Sequence, residues 1–501
     1  MSKKPAGNKY TLLFYGFLAL VFLVGFYLRS VGIFSNSFAF TYDVGRDLLE
    51  VQKIVSAHKI PLIGQTTGLG GLFYGPWWYY FLTPAFLVSR GSPQGIAFYM
   101  VFQGLLTIFL GYVFGRMISG RLLGSTFAVL LSFSWAMIGL SSQIWNPNIA
   151  PLFVILVFIC LFKLKEQKRK SFALFFALGF LLGFLLDAEL VFGLLFFAGT
   201  IFVSLYLLRK TLLSIPALGA PLGFFVILFP RIFFEFRHDF IMTRSLFAVH
   251  SGDQRIFDLG NFFFVLPGRF ISLTETLRDT LGVTFVPVAA IIFITSCFIF
   301  YLLRKSLLQK EKEVIVSAFM ILGTFIVGSS IFARPVWGHY LIGLPVLYIF
   351  LTGIAAALLS RKNIFAGIAV LLLFSYININ PLKVVADMRA PLWEGNAAVY
   401  RNQVAVIDYI YQDAGGRHFD YIAYTPVLHD YTYQYLFSWY GPKKYGYQPD
   451  TKKDDLFYVI IEPDPGSEWR ITNWLKVREG DGKVLKQRTV KGGIMVQTRI
   501  H

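Results

Sequence analysis

The stretch that decides how this chain is threaded is GLFYGPWWYYFLTPAFLVSRG, Gly71–Gly91. It is apolar enough to cross a membrane, but Pro76 and Pro84 bracket a Trp-Trp-Tyr-Tyr run, and Trp and Tyr favour the level of the lipid headgroups. If this segment were a span, every later loop would change sides. Leaving it on the outer surface puts the Lys and Arg clusters of the short loops on the cytoplasmic side. We therefore predict a surface-lying aromatic segment whose prolines interrupt a continuous helix.

The composition of the chain is that of a polytopic membrane protein. Of its 501 residues, 56% are hydrophobic and 15% are charged, and the mean hydropathy is +0.60. The formal net charge of +18 would suggest nucleic-acid binding in a soluble protein, but the basic residues cluster in short loops, which excludes that interpretation. About eleven apolar segments are long enough to be spans. They lie near residues 11–33, 96–115, 122–141, 148–163, 171–187, 190–208, 215–234, 281–303, 314–332, 338–359 and 364–380.

Two domains follow from this distribution. We predict an all-α polytopic membrane domain over residues 1–380 and a small soluble α/β domain over residues 381–501. The second has a helix-like stretch near Ala398–Gln412 and three strand-like runs, FDYIAYTPV, DLFYVIIEPD and GGIMVQTRI. With this threading, the carboxy-terminal domain and two long loops, 34–95 and 235–280, lie outside the cytoplasm. The first apolar run is predicted to be an uncleaved signal anchor.

The segment FTYDVGRDLLEVQKIVSAH, Phe40–His58, is too polar to be a span and has helical periodicity. One face is apolar and another is charged; the apolar face has Val44, Leu48, Val51 and Val55, and the charged face has Asp43, Arg46, Asp47 and Glu50. This pattern predicts an amphipathic helix on the membrane surface. Asp43, beside the cation of Arg46, is the first candidate for chemistry. The alternative is that Asp43 is the helix N-cap and the other charges form a solvated face.

Cationic residues also gather just outside the predicted span 215–234, in PRIFFEFRHDFIMTRSL. The charged residues of this loop include Arg231, Glu235, Arg237 and Arg244. Because the chain otherwise keeps its cations on the inner side, this cluster suggests a phosphate-bearing ligand at the outer mouth of the bundle. The alternative is an ordinary salt-bridged loop.

Two further motifs lie at outer turns. FARPVWGHYLIGLP places Arg334 and His339 at the start of a span, where His339 could orient a phosphate or donate a proton, or be satisfied by a backbone carbonyl. In IWNPN, the polar and aromatic side chains either hydrogen-bond a sugar or hold the outer loops together. They are Trp145, Asn146 and Asn148.

The turn LLDAELVF places Asp187 and Glu189 at the outer end of a helical hairpin. Ionisable groups at the edge of a membrane are candidates for function. A simple turn solvated by lipid headgroups is the alternative.

The sequence gives no support for a metal or another cofactor. Cys160 and Cys297 both lie in apolar runs, so they indicate neither a disulfide framework nor a metal site. The patterns H-E-x-x-H, P-loop and G-x-S-x-G are absent, so metal-dependent, nucleotide and serine hydrolysis are not indicated.

Taken in order, FTYDVGRDLLEV, GLFYGPWWYY, SSQIWNPN, FFEFRHDF and HYLIGLP resemble the bacterial branch of the GT-C membrane glycosyltransferases. This is the group of protein O-mannosyltransferases and lipid A aminoarabinose transferases. The resemblance covers essentially the whole membrane part. It implies transfer of one sugar, with inversion, from a polyprenyl-phosphate carrier to an acceptor outside the cytoplasm, by a multi-pass protein of the plasma (inner) membrane that needs no metal.

The resemblance also implies roles for individual residues. The family's acidic residue of the first external loop falls on Asp43, which would act as general base on the acceptor. Val44 stands where many relatives carry a second acidic residue, and Tyr74 stands where they often have a histidine. The cations expected to stabilise the leaving phosphate are Arg46, Arg237, Arg244 and Arg334, assisted by His339. The expected substrate contacts are Asp47, Tyr74, Trp145, Asn146, Asn148 and Glu235.

Two other functions fit a polytopic bundle. A transporter or lipid flippase tends to carry ionisable groups and broken helices in mid-membrane, often in inverted repeats. The predicted spans here have clean centres and the polar residues crowd one side, which favours an enzyme. A non-catalytic assembly or sensor protein, whose tail binds a partner, is the second alternative.

Overall fold

The membrane part of the protein is a helical bundle. The computed structural model describes residues 7–68, 70–167, 171–251, 258–379, 396–449 and 455–500. The helices up to residue 379 are α1 Gly7–Phe34, α2 Tyr42–Ala57, α3 Trp77–Ser89, α4 Pro93–Phe133, α5 Trp135–Ser141, α6 Ala150–Glu166, α7 Phe172–Ala188, α8 Leu190–Leu208, α9 Gly219–Arg237, α10 Ile241–Ser251, α11 Phe262–Leu281, α12 Val286–Leu302, α13 Gln309–Ile331, α14 Leu344–Lys362 and α15 Ile364–Ile379.

The described residues contain seven helical segments that are long and apolar enough to cross a membrane. They contain α1, α4, α6, α8, α9, α13 and α14. The pair α11 and α12, bent by 84°, forms an eighth if counted as one broken span, and α7 and α15 are shorter apolar helices. A polytopic membrane fold is therefore confirmed, whereas the number of eleven spans stays a prediction.

The long helix α4 contains a reversal of the chain. Ser119 and Gly120 have non-helical backbone angles, and Gly120 has a φ of 81°. A Cβ on Gly115 would lie 2.8 Å from the Cα of Gly124, so the two halves of α4 pack closely on either side of the break. This arrangement agrees with the prediction of separate segments near 96–115 and 122–141.

The aromatic segment forms α3, which differs in two ways from the prediction. Pro76 lies at the N-cap, but Pro84 lies within the helix and does not interrupt it. Trp78 and Tyr79 are buried in protein, with 1% and 3% exposed, instead of lying at the level of the lipid headgroups. With 13 residues α3 is about 20 Å long, too short to cross a membrane, which agrees with its exclusion from the spans.

The predicted amphipathic helix is present as α2, but its apolar face does not lie on lipid. Val44, Leu48 and Val51 are at most 2% exposed, and α2 packs against α3 and against a helix of the carboxy-terminal domain. At Gly45 a Cβ would lie 2.5 Å from the backbone nitrogen of Thr432, so that contact is a close backbone approach. The surface-lying interpretation was wrong because an apolar stripe fits a protein surface as well as a lipid one.

The carboxy-terminal domain is α/β, as predicted. It consists of α16 Tyr400–Ala414, β1 Asp420–Tyr424, α17 Tyr431–Tyr445, β2 Leu456–Ile461, α18 Glu468–Lys476, β3 Lys483–Thr489 and β4 Met495–Ile500. The strand order is β1-β2-β4-β3, with β1 and β2 parallel and the other pairs antiparallel. The central strand β2 is buried throughout and the edge strand β3 is exposed throughout. The helices α17 and α18 and the strand β3 were not predicted.

Backbone hydrogen bonds fix this domain to the segment between α1 and α2. The N–H of Phe40 donates to the carbonyl of Ala398 at 2.8 Å, and the N–H of Tyr400 donates to the carbonyl of Phe38 at 3.1 Å. The indole Nε1 of Trp439, on α17, donates to the carbonyl of Arg90 just after α3, at 2.7 Å. The domain thus holds both α2 and α3, the helices that carry the charged residues described below.

Ion pairs join α6, α13 and α14 at the end of the bundle opposite α2, which we call the far end. The pairs are Lys165–Glu313, Lys310–Glu166 and Arg361–Glu311. The side chain of Arg361 also donates to Ser119 at the break in α4. Basic clusters that the threading assigned to one side of the membrane therefore meet at one end of the bundle.

Candidate active site

Two carboxylates on the first turns of α2 share one guanidinium. Nη1 of Arg46 lies 2.9 Å from Oδ1 of Asp43, while Nε and Nη2 donate to Oδ1 of Asp47 at 3.0 and 2.9 Å. The N-cap residue of α2 is Thr41, so the alternative that Asp43 is the N-cap is wrong. The side chain of Asp43 is 24% exposed and that of Asp47 is 2% exposed. Asp43 is thus the carboxylate of this pair that a ligand can reach.

Asp47 is held in the interior by two donors. The indole Nε1 of Trp78 donates to its Oδ2 at 2.7 Å, and Arg46 occupies Oδ1. Burial raises the pKa of Asp47 to about 6, although Arg46 and Trp78 favour the charged form. Because both oxygens have partners, Asp47 is suited to positioning Arg46, and through it Asp43.

His339 lies beside Asp43 between aromatic rings. Its ring centroid is 5.4 Å from that of Trp145 and 4.4 Å from that of Tyr340. Burial lowers the pKa of His339, and the charge of Asp43 opposes this shift. A neutral imidazole at neutral pH can donate one hydrogen bond and accept another.

A third carboxyl group, that of Glu189, lies at the turn between α7 and α8. The hydroxyl of Tyr74 donates to Oε2 of Glu189 at 3.1 Å, and Glu189 is 2% exposed. Burial raises the pKa of Glu189 to about 8. Tyr74 also interacts electrostatically with Arg46, and Tyr340 does so with Glu189 and Arg334.

These side chains form a closed series of interactions. Asp43 pairs with Arg46, Glu189 accepts the hydroxyl of Tyr74, and the rings of His339 and Tyr340 pack together. Longer-range electrostatic interactions link Asp43 with His339, Tyr340 with Glu189, and Tyr74 with Arg46. We call these six side chains the polar ring. They come from four segments that are far apart in sequence: α2, the loop before α3, the α7–α8 turn and the segment before α14.

Beside the ring, Asp187 holds the turn that precedes α3. Its Oδ2 accepts the N–H of Trp77 at 3.2 Å, its Oδ1 lies 3.2 Å from Nη2 of Arg231, and the backbone of Gly75 also donates to it. A Cβ on Gly75 would lie 1.7 Å from Oδ1 of Asp187, so only glycine fits there. This clamp fixes the start of α3 and thereby the position of Trp78.

The arrangement of the whole chain is similar to that of solved membrane glycosyltransferases. ArnT from Cupriavidus metallidurans in the apo state gives a TM-score of 0.58 at 14% sequence identity, over 99% of this chain and 98% of that chain. The same protein bound to undecaprenyl phosphate gives 0.56 at 13% identity, over 98% of each chain. The chain has the GT-C fold. Neither a family model nor a curated protein matches the sequence.

Within this GT-C fold, two of the predicted phosphate-binding residues lie away from the ring. Arg237 is exposed at the end of α9, with its guanidinium 5.8 Å from the ring centroid of Phe233. Arg244 is exposed on α10 and interacts electrostatically with Glu235. In the part of the chain that the structure describes, no hydrogen bond or ion pair joins Arg237 or Arg244 to the polar ring.

Glu235 has the contacts of a helix cap. Its carboxylate accepts the backbone N–H groups of Met242 and Thr243 at 2.8 and 2.9 Å, and the hydroxyl of Thr243 at 2.6 Å. These are free donors at the start of α10, which a carboxylate satisfies well. The sequence could not show this role, because the capped helix begins only after the charged loop.

The two asparagines of IWNPN support the outer turns. The side-chain amide of Asn146 donates to the carbonyl of Ala188, and that of Asn148 donates to the carbonyl of Gln143 at 3.1 Å. Both are at most 3% exposed. These contacts favour the alternative that they hold the outer loops together, with Asn146 bracing the turn that carries Glu189. Trp145 is different, since its indole packs against His339, a member of the polar ring.

No group of three or more His, Cys, Asp or Glu side chains that could hold a metal ion is found among the described residues. Trp78, Tyr79 and Tyr340 are the site residues that the sequence analysis did not single out individually. Trp78 and Tyr79 belong to the aromatic run, but they contact residues far away in the sequence. Trp78 contacts Asp47, 31 positions earlier, and Tyr79 contacts Arg46. Such a pairing has no local sequence signal.

Proposed function

We propose that this protein is an inverting glycosyltransferase that moves a sugar from a polyprenyl-phosphate carrier to an acceptor at the end of the bundle that carries the polar ring. The observation that carries the proposal is the partly exposed Asp43, fixed by a shared guanidinium within a GT-C fold. Undecaprenyl phosphate bound to ArnT, which has this fold, supports a carrier of that chemical class. The acceptor is a lipid, a protein or an envelope glycan.

In the proposed reaction Asp43 is the general base. The acceptor hydroxyl or amine attacks the anomeric carbon and gives its proton to the Asp43 carboxylate. The bond between the anomeric carbon and the phosphate oxygen breaks, and the polyprenyl phosphate leaves with that electron pair. A positioned base of this kind contributes roughly 10²- to 10⁴-fold in rate.

Arg46 has a different role from the other cations. Three contacts to two carboxylates already occupy its guanidinium, so it fixes the orientation of Asp43. The leaving phosphate then depends on cations that are not bound to these carboxylates. We propose Arg334 for this role, assisted by a hydrogen bond from the imidazole of His339 in the ring. Arg237 and Arg244 would meet the phosphate as it approaches from the α9–α10 side.

The membrane domain, residues 1–380, would supply the catalytic groups, and the carboxy-terminal domain, residues 381–501, would hold α2 and α3 in place. We further propose that the protein lies in the plasma membrane with the polar ring outside the cytoplasm. This orientation follows the distribution of Lys and Arg in the short loops.

The test uses the purified full chain, reconstituted in lipid vesicles and supplied with a polyprenyl-phosphate-linked sugar and candidate acceptors. Asp43→Asn should reduce transfer by 10²-fold or more while donor binding and thermal stability stay near those of the wild type. Glu50→Gln, on the same helix but in an exposed pair with Lys53, is the matched control and should transfer normally. Full turnover by Asp43→Asn would refute the assignment. Lipid translocation without transfer would instead identify a flippase.

A further inference from the structure

Glu189 is a buried carboxyl group at this end of the bundle, and its donors are the hydroxyl of Tyr74 and the backbone N–H of Val191. Its Oε2 accepts the hydroxyl of Tyr74, but its Oε1 is buried and has no hydrogen-bond partner in the described parts of the chain. None of the Lys or Arg residues described there forms an ion pair with it. Leaving a buried polar group without a partner costs about 1–3 kcal/mol, and more for a charged one. A cost of this kind is offset if a ligand supplies the missing hydrogen-bond donor.

The neighbouring Asp187 shows that a carboxyl group in the α7–α8 turn can have a cation partner. Asp187 lies two residues earlier and is equally buried, yet it has Arg231 as a cation partner and two backbone N–H donors. Gly75 leaves no free volume beside it. The α7–α8 turn therefore carries one carboxyl group that has a cation partner and one that has none among the described residues.

The position of Glu189 in the ring tells where its ligand must lie. On one side Tyr74 connects it with Arg46, and on the other Tyr340 and His339 connect it with Asp43. A ligand of Glu189 is therefore expected within the same cluster of side chains as Asp43. The carbonyl of Ala188, immediately before Glu189, accepts the amide of Asn146, which keeps this turn in place.

We propose that Glu189, oriented by Tyr74, is a substrate-contacting residue that accepts a hydrogen bond from a hydroxyl or amino group of the transferred sugar and so determines which sugar is accepted. This inference rests on the proposed glycosyl transfer. It concerns sugar recognition and not the proton transfer at Asp43. A site built to hydrogen-bond a substrate group rejects analogues that lack it, because its own buried polar atom is then left unpaired.

The raised pKa of Glu189, to about 8 through burial, is consistent with this role. A carboxyl group that is largely neutral near pH 7 can accept one hydrogen bond and donate another, which suits a sugar hydroxyl. An amino group would instead draw the proton from the carboxyl group and bind as an ammonium ion. The two ligands therefore give different pH dependence of the donor KM above and below pH 8.

The experiment compares wild type, Glu189→Gln and Tyr74→Phe as full chains with the natural donor and with a series of deoxy donors. Glu189→Gln should raise the donor KM or lower kcat/KM by about 10-fold or more, while thermal stability is unchanged or higher because an unpaired buried carboxyl group is removed. For one deoxy donor, the wild type should show a similar reduction in kcat/KM. Glu189→Gln should not reduce kcat/KM any further with that donor. Tyr74→Phe should give a smaller loss in the same parameter.

The outcomes separate this inference from the proposed function. If the wild type transfers sugar and Glu189→Gln has the same kinetics for every donor, the role of Glu189 is overturned and the glycosyltransferase assignment stands. A lower thermal stability of Glu189→Gln with unchanged kinetics shows a structural role and also overturns it. A wild-type chain that transfers no sugar overturns both.

Discussion

The two ends of the bundle use the same residue types in opposite ways. At the far end each carboxylate has its own cation: Glu311 with Arg361, Glu313 with Lys165, and Glu166 with Lys310. In the polar ring one guanidinium serves both Asp43 and Asp47, and Glu189 has no cation among the described residues. The far end is thus electrostatically complete, whereas the ring is deficient in positive charge and hydrogen-bond donors.

This difference teaches which charges hold the fold and which are available to a ligand. Glu311 is fully buried, pairs with Arg361 and also accepts the N–H of Leu308 at 2.9 Å at the start of α13. Such a side chain can only stabilise the fold. A deficient ring is the arrangement expected where a substrate supplies the missing donors, because a buried polar group without a partner is costly.

The largest effect is expected from filling the space at Gly75. Gly75→Ala would place a Cβ against Oδ1 of Asp187, so the clamp must open and the start of α3 must move. A displacement of this order at an active site costs about 10²-fold in rate, besides a loss of stability of about 1–3 kcal/mol. Gly68→Ala is the control, since a Cβ there meets no atom within 4 Å, and its transfer rate should equal that of the wild type. Normal activity of Gly75→Ala would remove the clamp from the mechanism.

The far end should respond in stability alone. Glu311→Gln leaves Arg361, which is partly exposed, without its carboxylate partner and should lower the free energy of unfolding by about 1–3 kcal/mol. Thermal unfolding of the purified protein measures this change, and kcat per folded molecule should stay constant. A specific loss of kcat would show that the two ends are coupled and not separate. The exposed pair of Lys53 and Glu50 gives the comparison, with an expected change below about 1 kcal/mol for Glu50→Gln.

Glu462 sharpens the comparison, because it is a buried carboxyl group outside the ring. None of the Lys or Arg residues that the structure describes forms an ion pair with it. It accepts the hydroxyl of Tyr433 at 2.9 Å, and burial raises its pKa to about 7, with Tyr433 and Gln403 opposing the shift. Below the ordinary pKa of a glutamate, folded and unfolded chains both hold the proton, and no stability is lost. As the pH rises from 4.5 to about 7, the unfolded chain releases this proton while the folded chain retains it, so the folded protein loses stability over this range and gains none back above it.

Glu462→Gln should therefore raise the unfolding temperature at pH 8 and leave it nearly unchanged at pH 5. The added stability at pH 8 is on the order of 1–3 kcal/mol. Gln403 has a buried Oε1 without a hydrogen-bond partner, which can accept the new amide. Thermal unfolding at the two pH values measures the effect, and an equal shift at both would contradict the raised pKa. Transfer activity should not change, in contrast to Glu189→Gln.

The smallest effect is expected at Trp78. Trp78→Phe keeps an aromatic ring but removes the donor to Oδ2 of Asp47. A hydrogen bond to a charged group contributes about 1.5–3 kcal/mol, and part of this loss should appear as reduced stability. Because Arg46 still holds Asp47 and Asp43, the fall in kcat should be less than about 10-fold. A loss as large as that of Asp43→Asn would show that Trp78 does more than position Asp47.

The sequence predicted the local features of this molecule well. The apolar stripe of Val44, Leu48 and Val51 predicted a helix, and the same spacing put Asp43 and Asp47 on one face with Arg46. The sequence predicted two separate apolar segments on either side of the break near Gly120. The α/β character of the carboxy-terminal domain followed from its alternating strands and its lack of a span.

What the sequence could not show were contacts between distant segments. The pairing of Trp78 with Asp47, and of Tyr74 with Glu189, depends on packing that no local periodicity encodes. The docking of α2 on α17 was missed because Tyr431–Tyr445 is rich in aromatic residues and has no clear apolar stripe. Arg237 and Arg244 were grouped with the ring on the basis of charge, although the structure leaves both on an exposed surface.

The measurement that tests the central proposal most directly is a structure of the full chain with a polyprenyl phosphate. The proposal predicts that the phosphate lies at the polar ring, within reach of Arg334 and His339 and facing the carboxylate of Asp43. A phosphate bound only on the α9–α10 surface or at the far end, with Asp43 still enclosed by its present partners, would contradict it.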